Sequence, residues 1–483
     1  MNKEQIIQAA EDFDVLCFFG FEPFEVFSFL ENKQKKSYVF FKQEASFIRG
    51  RENIYEVALG DLAYFQQICL EKVFQSFFYI VSSNRKQELS SFMTQCQQVE
   101  WQVNLSGSDY QDFGVAVFRN MVQASYKSFD AGSFFLQKNS LQGVPAIICG
   151  AGPSLEESVE LLKQVKNKAA IFAGGAALGF LTNKGVAIDI AAGIDPDPSY
   201  ERTLMQESFE APFFCQSRFS SLGLDCIQGR IFQVPSNPGY LIEEWMQDGE
   251  SFDGGWTVST FMSALAVHLG CSPIILVGVD LISSKEGLYA EGVVLQDILE
   301  GIPWVDPILG ECRTKKDWVL SARWLEYLAS RSSNTPFYNG SFQGLSLKGI
   351  SQRSLEDFIK QLPFCDVQAL VWTLSSLWKK SDSLSVKLAF LGKSIEDSLL
   401  IIEKILSLFA RFYPGDPSEK GEFILCLYDL QEELFYQKVL EPLWQVWQFP
   451  MAREFIEPYA KEVNRFLFFK KVLIEYRGCL CKR

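Results

Sequence analysis

The stretch that decides the fold is Ile148-Cys149-Gly150-Ala151-Gly152-Pro153-Ser154-Leu155-Glu156-Glu157. An apolar strand, Ala146 to Cys149, runs straight into a turn of small residues. The helix that follows opens with Ser154 as N-cap and Glu157 three residues later, the spacing of a capping box. Small residues let backbone amides approach an anion, and the positive end of the helix dipole favours a phosphate there. We read the turn as a phosphate cradle; the alternative is a tight strand-to-helix turn that binds nothing.

Working outward, the same alternation recurs. Ala169 to Ala173 reads as a strand, Ala176 to Asn183 as a helix and Ile188 to Ile194 as a third strand. Further strands are expected at Pro212 to Cys215, Arg230 to Val234 and Pro273 to Gly278, with a helix over Val258 to Leu269. Such an order predicts a parallel, doubly wound α/β sheet for residues 143–348. Residues 1–142 carry short apolar runs at Val15 to Phe19, Ser37 to Phe41 and Phe77 to Val81, with a crossover helix at Pro23 to Leu30. They are expected to form a degenerate Rossmann-like domain, because the turn Phe19-Gly20-Phe21-Glu22-Pro23 lacks the later glycines of a dinucleotide site. In residues 349–483 glycine thins out and the chain reads as an all-α domain, with helices over Ser383 to Phe412, Glu422 to Leu440 and Ala452 to Arg477 and turns at Pro414-Gly415-Asp416-Pro417 and Phe449-Pro450.

Composition excludes several function classes. Among 483 residues, Lys+Arg 45 against Asp+Glu 59 gives a net charge of -14, so no global positive field exists to hold nucleic acid. The one His, His268, rules out a multi-histidine metal site, and its place near a helix end suits a bond to carbonyls. No apolar run approaches the roughly 20 residues of a membrane span, and Met1 to Gln8 lacks the pattern of a signal peptide. The twelve Cys contain no CxxC pair, which fits reduced thiols and a cytoplasmic location.

Two further clusters stand at strand ends. Gly193-Ile194-Asp195-Pro196-Asp197-Pro198 closes the third strand, and its carboxylates suit a ribose, a sugar hydroxyl, hydrated Mg²⁺ or merely a solvated turn. Asp253-Gly254-Gly255-Trp256-Thr257 opens a helix that Thr257 can cap, and the strand after it ends in Gly278-Val279-Asp280. Asp280 is placed for acid–base or metal work, or simply caps the next turn.

Together, the GAGPSL turn, the GIDPD strand end and the GGWTVSTFMSALAVHLGCSPIILVGVDL segment resemble one superfamily. It joins the motility-associated Maf flagellin glycosyltransferases with the 6-hydroxymethylpterin diphosphokinases called MptE-like. The first motif is also similar to the GxGPSL turn of bacterial sialyltransferases, which bind a CMP-activated sugar. The three-part layout resembles the longer Maf type. By this resemblance Gly150, Ala151, Gly152, Pro153, Ser154, Asp197, Gly255 and Thr257 would contact the nucleotide. A His is expected about where Tyr289 stands, so Asp280, Asp195 and Tyr289 are left as candidate catalytic residues. The resemblance implies transfer of a CMP-linked sugar to a protein Ser or Thr hydroxyl. It leaves open Mg²⁺-dependent pyrophosphoryl transfer from ATP to 6-hydroxymethyldihydropterin, and a non-catalytic nucleotide-binding or scaffold role.

Overall fold

Four residues, Ala146–Cys149, set the pattern of the larger sheet. Ala146 and Ile148 point into one apolar core while Ile147 and Cys149 point into another, the period of two expected of a strand buried on both faces. Fully burying an Ile or Phe side chain contributes roughly 1.5–3 kcal/mol, so each such strand anchors both layers. The computed structural model describes residues 3–28, 30, 36–43, 53–82, 85–126, 133–165, 167–197, 211–235, 241–246, 251–282, 290, 304–305, 314–376, 384–411, 417–454 and 458–481.

Strands in chain order are β1 (Val15–Phe19), β2 (Ser37–Lys42), β3 (Ile54–Ala58), β4 (Phe77–Val81), β5 (Ala146–Cys149), β6 (Ala170–Gly174) and β7 (Ile190–Gly193). They continue with β8 (Phe213–Gln216), β9 (Ile231–Val234), β10 (Ile274–Val277), β11 (Trp304–Val305), β12 (Thr314–Lys315), β13 (Phe337–Asn339) and β14 (Ser351–Gln352). The chain divides into two compact units, one of Met1–Asp112 with Glu441–Arg465 and one of Phe113–Leu440 with Phe466–Arg483.

The first unit holds a parallel sheet in the order β3-β2-β1-β4. Val15, Cys17 and Phe19 face one apolar cluster and Leu16 and Phe18 the other, so helices cover both faces. The crossover helix between β1 and β2 is Pro23–Phe27, shorter than its apolar run suggested. Sequence reading missed β3, whose Ile54-Tyr55-Glu56-Val57-Ala58 has a charge at its centre. Glu56 is paired there with Lys42 of β2 at 2.8 Å.

The second unit contains an eight-stranded sheet in the order β14-β13-β10-β5-β6-β7-β8-β9, parallel throughout. The chain leaves β5 in one direction through β6 to β9, then returns to the other side of β5 with β10. The switch point of this doubly wound α/β sheet therefore lies between β5 and β10, where open sheets of this kind gather ligands. Helices Leu155–Leu162 and Ala176–Asn183 cover one face, and helices Val258–His268 and Lys316–Arg331 cover the other.

Beyond the sheet the chain is helical, with Leu384–Arg411, Pro417–Glu432, Glu441–Glu454 and Pro458–Cys481. Leu391, Ile395, Leu399, Ile402 and Ile405 are buried at helical spacing. The single helix expected over Glu422 to Leu440 is interrupted, ending at Glu432 before a short π-helical turn over Tyr436–Leu440. The turn expected at Phe449-Pro450 is corrected: both residues lie inside the helix Glu441–Glu454, because tertiary packing of a segment can hold helical backbone around a proline that local propensity would break. Among the described residues no helix is long and apolar enough to cross a membrane.

Candidate functional site

The turn after β5 is built by close backbone approach. Gly150 donates to the Val277 carbonyl at 2.8 Å and Gly152 to the Gly278 carbonyl at 2.8 Å, lashing the turn to the end of β10. A Cβ on Gly152 would lie 2.5 Å from Asp280 Oδ2 and 2.8 Å from the Gly278 carbonyl oxygen, so only glycine fits here. Buried Ala290 donates to the Ala151 carbonyl at 3.0 Å.

Ser154 departs from its sequence reading. Its backbone is already helical and its hydroxyl makes no cap bond, so the capping box with Glu157 does not form. The hydroxyl donates instead to Asp280 Oδ1 at 2.5 Å while the Ser154 amide donates to Oδ2 at 2.9 Å. A carboxylate 126 residues away takes the hydroxyl in place of the backbone amide that would donate to it in a cap. Ser341, after β13, completes the arrangement: its Oγ lies 3.2 Å from Ser154 Oγ, to which its hydroxyl can donate, and accepts from the Val279 amide at 3.2 Å. The Ser341 amide in turn donates to Asn339 Oδ1 at 2.9 Å. Asp280, Asn339 and Ser341 are all buried.

Thr257 does cap its helix. Its hydroxyl accepts from the Thr260 amide at 3.3 Å, and Thr260 Oγ1 accepts from the Thr257 amide at 2.9 Å. A Cβ on Gly174, the last residue of β6, would lie 2.6 Å from Val258 Cγ2, which puts the helix's positive end at the carboxyl edge of the sheet. Gly255 has φ +69° and packs under Trp324, whose indole donates to Asp253 Oδ1 at 2.9 Å.

Asp195 and Asp197 follow β7 on the same edge, and the Asp197 amide donates to Asp195 Oδ1 at 3.1 Å. Three strand intervals, about 14 Å, separate β7 from β10 along the edge. The loop is held from an unexpected quarter. Buried Asn120, on the long helix Lys86–Tyr126, donates to the Pro196 carbonyl at 2.7 Å and the Arg218 carbonyl at 2.9 Å. Tyr289 lies outside the described residues.

Direct contact thus joins Gly152 and Ser154 with Asp280, and a shared sheet edge adds Gly150, Ala151, Pro153, Thr257, Asp195 and Asp197. Sequence reasoning missed Asn120, Asn339 and Ser341, none of which carries a local signal: Asn120 follows Arg119 in a helical stretch and reads as an ordinary helix residue. Burial pushes the Cys149 thiol, beside the turn, up to about 12, so it supplies no thiolate at neutral pH. Among the described residues no group of three His, Cys, Asp or Glu stands together to hold a metal ion. His268 sits at the far end of its helix, stacked on Phe134 at 4.3 Å with Nε2 3.3 Å from the Phe134 carbonyl oxygen.

Residues 119–286 match the family described as 6-hydroxymethylpterin diphosphokinase MptE-like. The Maf glycosyltransferase of Magnetospirillum magneticum AMB-1 superposes with TM-score 0.56 at 15% identity, over 100% of this chain and 84% of that one. The sialyltransferase CstII of Campylobacter jejuni, solved with cytidine-5'-monophosphate, gives TM-score 0.27 at 14% identity over 44% of this chain and 86% of that one. No curated protein matches the chain in sequence. The three motifs thus resemble a superfamily whose MptE-like family residues 119–286 match in sequence, and the whole chain has the fold of a Maf glycosyltransferase.

Proposed function

We propose that this protein is a Maf-like glycosyltransferase that binds a nucleotide-activated sugar at the β5–β10 switch point and transfers the sugar to a protein Ser or Thr hydroxyl. The observation that carries the reading is the full-length likeness to a Maf glycosyltransferase fold, which extends well beyond the MptE-like stretch. In this reading Gly150 to Ser154, Asp197, Gly255 and Thr257 contact the nucleotide, Asp195 and Tyr289 are the candidates for acid–base work, and Asp280, with both carboxylate oxygens bonded to Ser154, lies behind the turn. The central stretch 143–348 holds the chemistry, residues 1–142 and 349–483 flank it, and the location is cytoplasmic. The choice of CMP rests on the similarity of Gly150–Leu155 to the GxGPSL turn. The helix end at Thr257 supplies positive potential toward an anionic donor without requiring a metal.

The match of residues 119–286 supports a second reading, Mg²⁺-dependent pyrophosphoryl transfer from ATP to a hydroxymethylpterin. A thermal-shift panel of CMP, CDP, UDP, GDP and ATP, with and without Mg²⁺, separates the two. Stabilisation by CMP without metal supports glycosyl transfer, and stabilisation by ATP only with Mg²⁺ replaces it with the diphosphokinase. No shift with any nucleotide would leave a scaffold role.

A further inference from the structure

We infer that Asp280 is a positioning residue, part of a buried polar brace with Ser154, Ser341 and Asn339 that fixes the backbone of the Gly150–Ser154 turn. The inference deepens the proposed function, because that turn is the one assigned there to the nucleotide. Its basis is the allocation of atoms. Both carboxylate oxygens of Asp280 accept from Ser154, one from the amide and one from the hydroxyl. The Asp280 carbonyl also accepts from the Leu345 amide at 2.8 Å, so the residue is held through its main chain as well.

Space around the carboxylate is closed too. The Cα of Gly152 faces it so tightly that a Cβ would lie 2.7 Å from Asp280 Cγ, and a Cβ on Gly344 would lie 2.8 Å from Asp280 Cα. Asp280 is 3% exposed. A general base must come within about 2.6–3.2 Å of the heavy atom whose proton it takes, and here each carboxylate oxygen already accepts from Ser154, at 2.9 and 2.5 Å. Ser341 extends the brace: its Oγ is shared by Ser154 Oγ and the Val279 amide, and its own amide is fixed by Asn339 at the end of β13. Three strand ends, β5, β10 and β13, are thereby tied through side chains at the one edge where the turn must hold its shape.

The brace and a base make opposite demands on Asp280→Asn. Asparagine keeps an acceptor for the Ser154 amide and offers an N–H to the Ser154 hydroxyl, which accepts as readily as it donates. It therefore preserves the brace but is no proton acceptor. Asp280→Ala removes both bonds.

The experiment compares the full-length protein with Asp280→Asn, Asp280→Ala and Ser341→Ala, using hydrogen exchange of peptides covering 150–158 and thermal shift with CMP as the probe. The expected result is exchange at 150–158 at least tenfold faster in Asp280→Ala, a smaller acceleration in Ser341→Ala, and near wild-type protection in Asp280→Asn. CMP affinity should fall in the same order. Unchanged exchange at 150–158 in Asp280→Ala overturns the brace, as does Asp280→Asn behaving like Asp280→Ala. If Asp280→Ala does not fold, Ser341→Ala decides by the same readout. Absence of any CMP shift in the wild type counts against the proposed function alone, since exchange still reports on the brace.

Discussion

The backbones of Gly150 and Gly278 meet without room for a side chain on either. A Cβ on Gly278 would lie 2.5 Å from the Gly150 carbonyl oxygen, and one on Gly150 would press equally on the Gly278 carbonyl. This contact is what brings the ends of β5 and β10 together at the switch point, and the Ser154–Asp280 bonds stand directly beyond it.

It predicts a graded response to alanine. Gly278 has φ +66° and Gly185 has φ +76°, so both disfavour an L residue, at about 1–2 kcal/mol. Only Gly278 is also crowded, while nothing stands within 4 Å of a Cβ on Gly185. Gly278→Ala should therefore be less stable than Gly185→Ala by about 1–3 kcal/mol in urea unfolding. Equal losses would mean that the sheet edge relaxes around the added methyl group.

Asn120 should matter more than its position outside the sheet suggests. Replacing it by Ala removes donors to the Pro196 and Arg218 carbonyls in a buried setting, an effect of roughly 2–3 kcal/mol. Asn120→Asp should be worse, because a carboxylate would face two carbonyl oxygens with no proton to offer. Hydrogen exchange in 193–197 and 217–221 should quicken in both variants; unaltered exchange there would show that other contacts hold these loops.

Two half-buried groups set a pH dependence of opposite sign. Burial raises the Asp189 carboxyl to about 6 although the Ile171 amide donates to it at 2.9 Å. The folded chain then keeps this proton to higher pH than the unfolded chain, so its contribution to stability is present below about pH 4 and is lost as pH rises through about 6. Asp189→Asn should lose about 1–3 kcal/mol less than the wild type across that window in pH-dependent unfolding. Burial lowers His268 below its usual value, so the folded chain favours the neutral ring and protonation below about pH 6.5 opposes folding. His268→Gln should remove that acid sensitivity and leave the thermal shift with CMP unchanged; a lost shift would tie the helix's far end to the site.

The sequence by itself determined the strands that carry the candidate site and that they run parallel. Ala146–Cys149, Ala170–Gly174 and Ile274–Val277 are apolar on both faces, and a run of that kind has no stable place except inside a covered sheet. The glycines at 150, 152, 255 and 278 were legible for a similar reason, since each marks a backbone approach or a positive φ that other residues resist. Tertiary structure alone decided the partners. Ser154 carries every local sign of an N-cap, yet a carboxylate on another strand takes its hydroxyl. Asn120 reads as an ordinary helix residue until two loops from across the sheet edge arrive at its amide. β13 and β14 are too short to announce themselves by pattern; β13 exists because β10 offers an edge on which to pair, and β14 pairs on β13 in turn. Local propensity is set by neighbours within a few residues, whereas a hydrogen bond between residues 126 apart is fixed only when the packed sheet has brought two strand ends to one place.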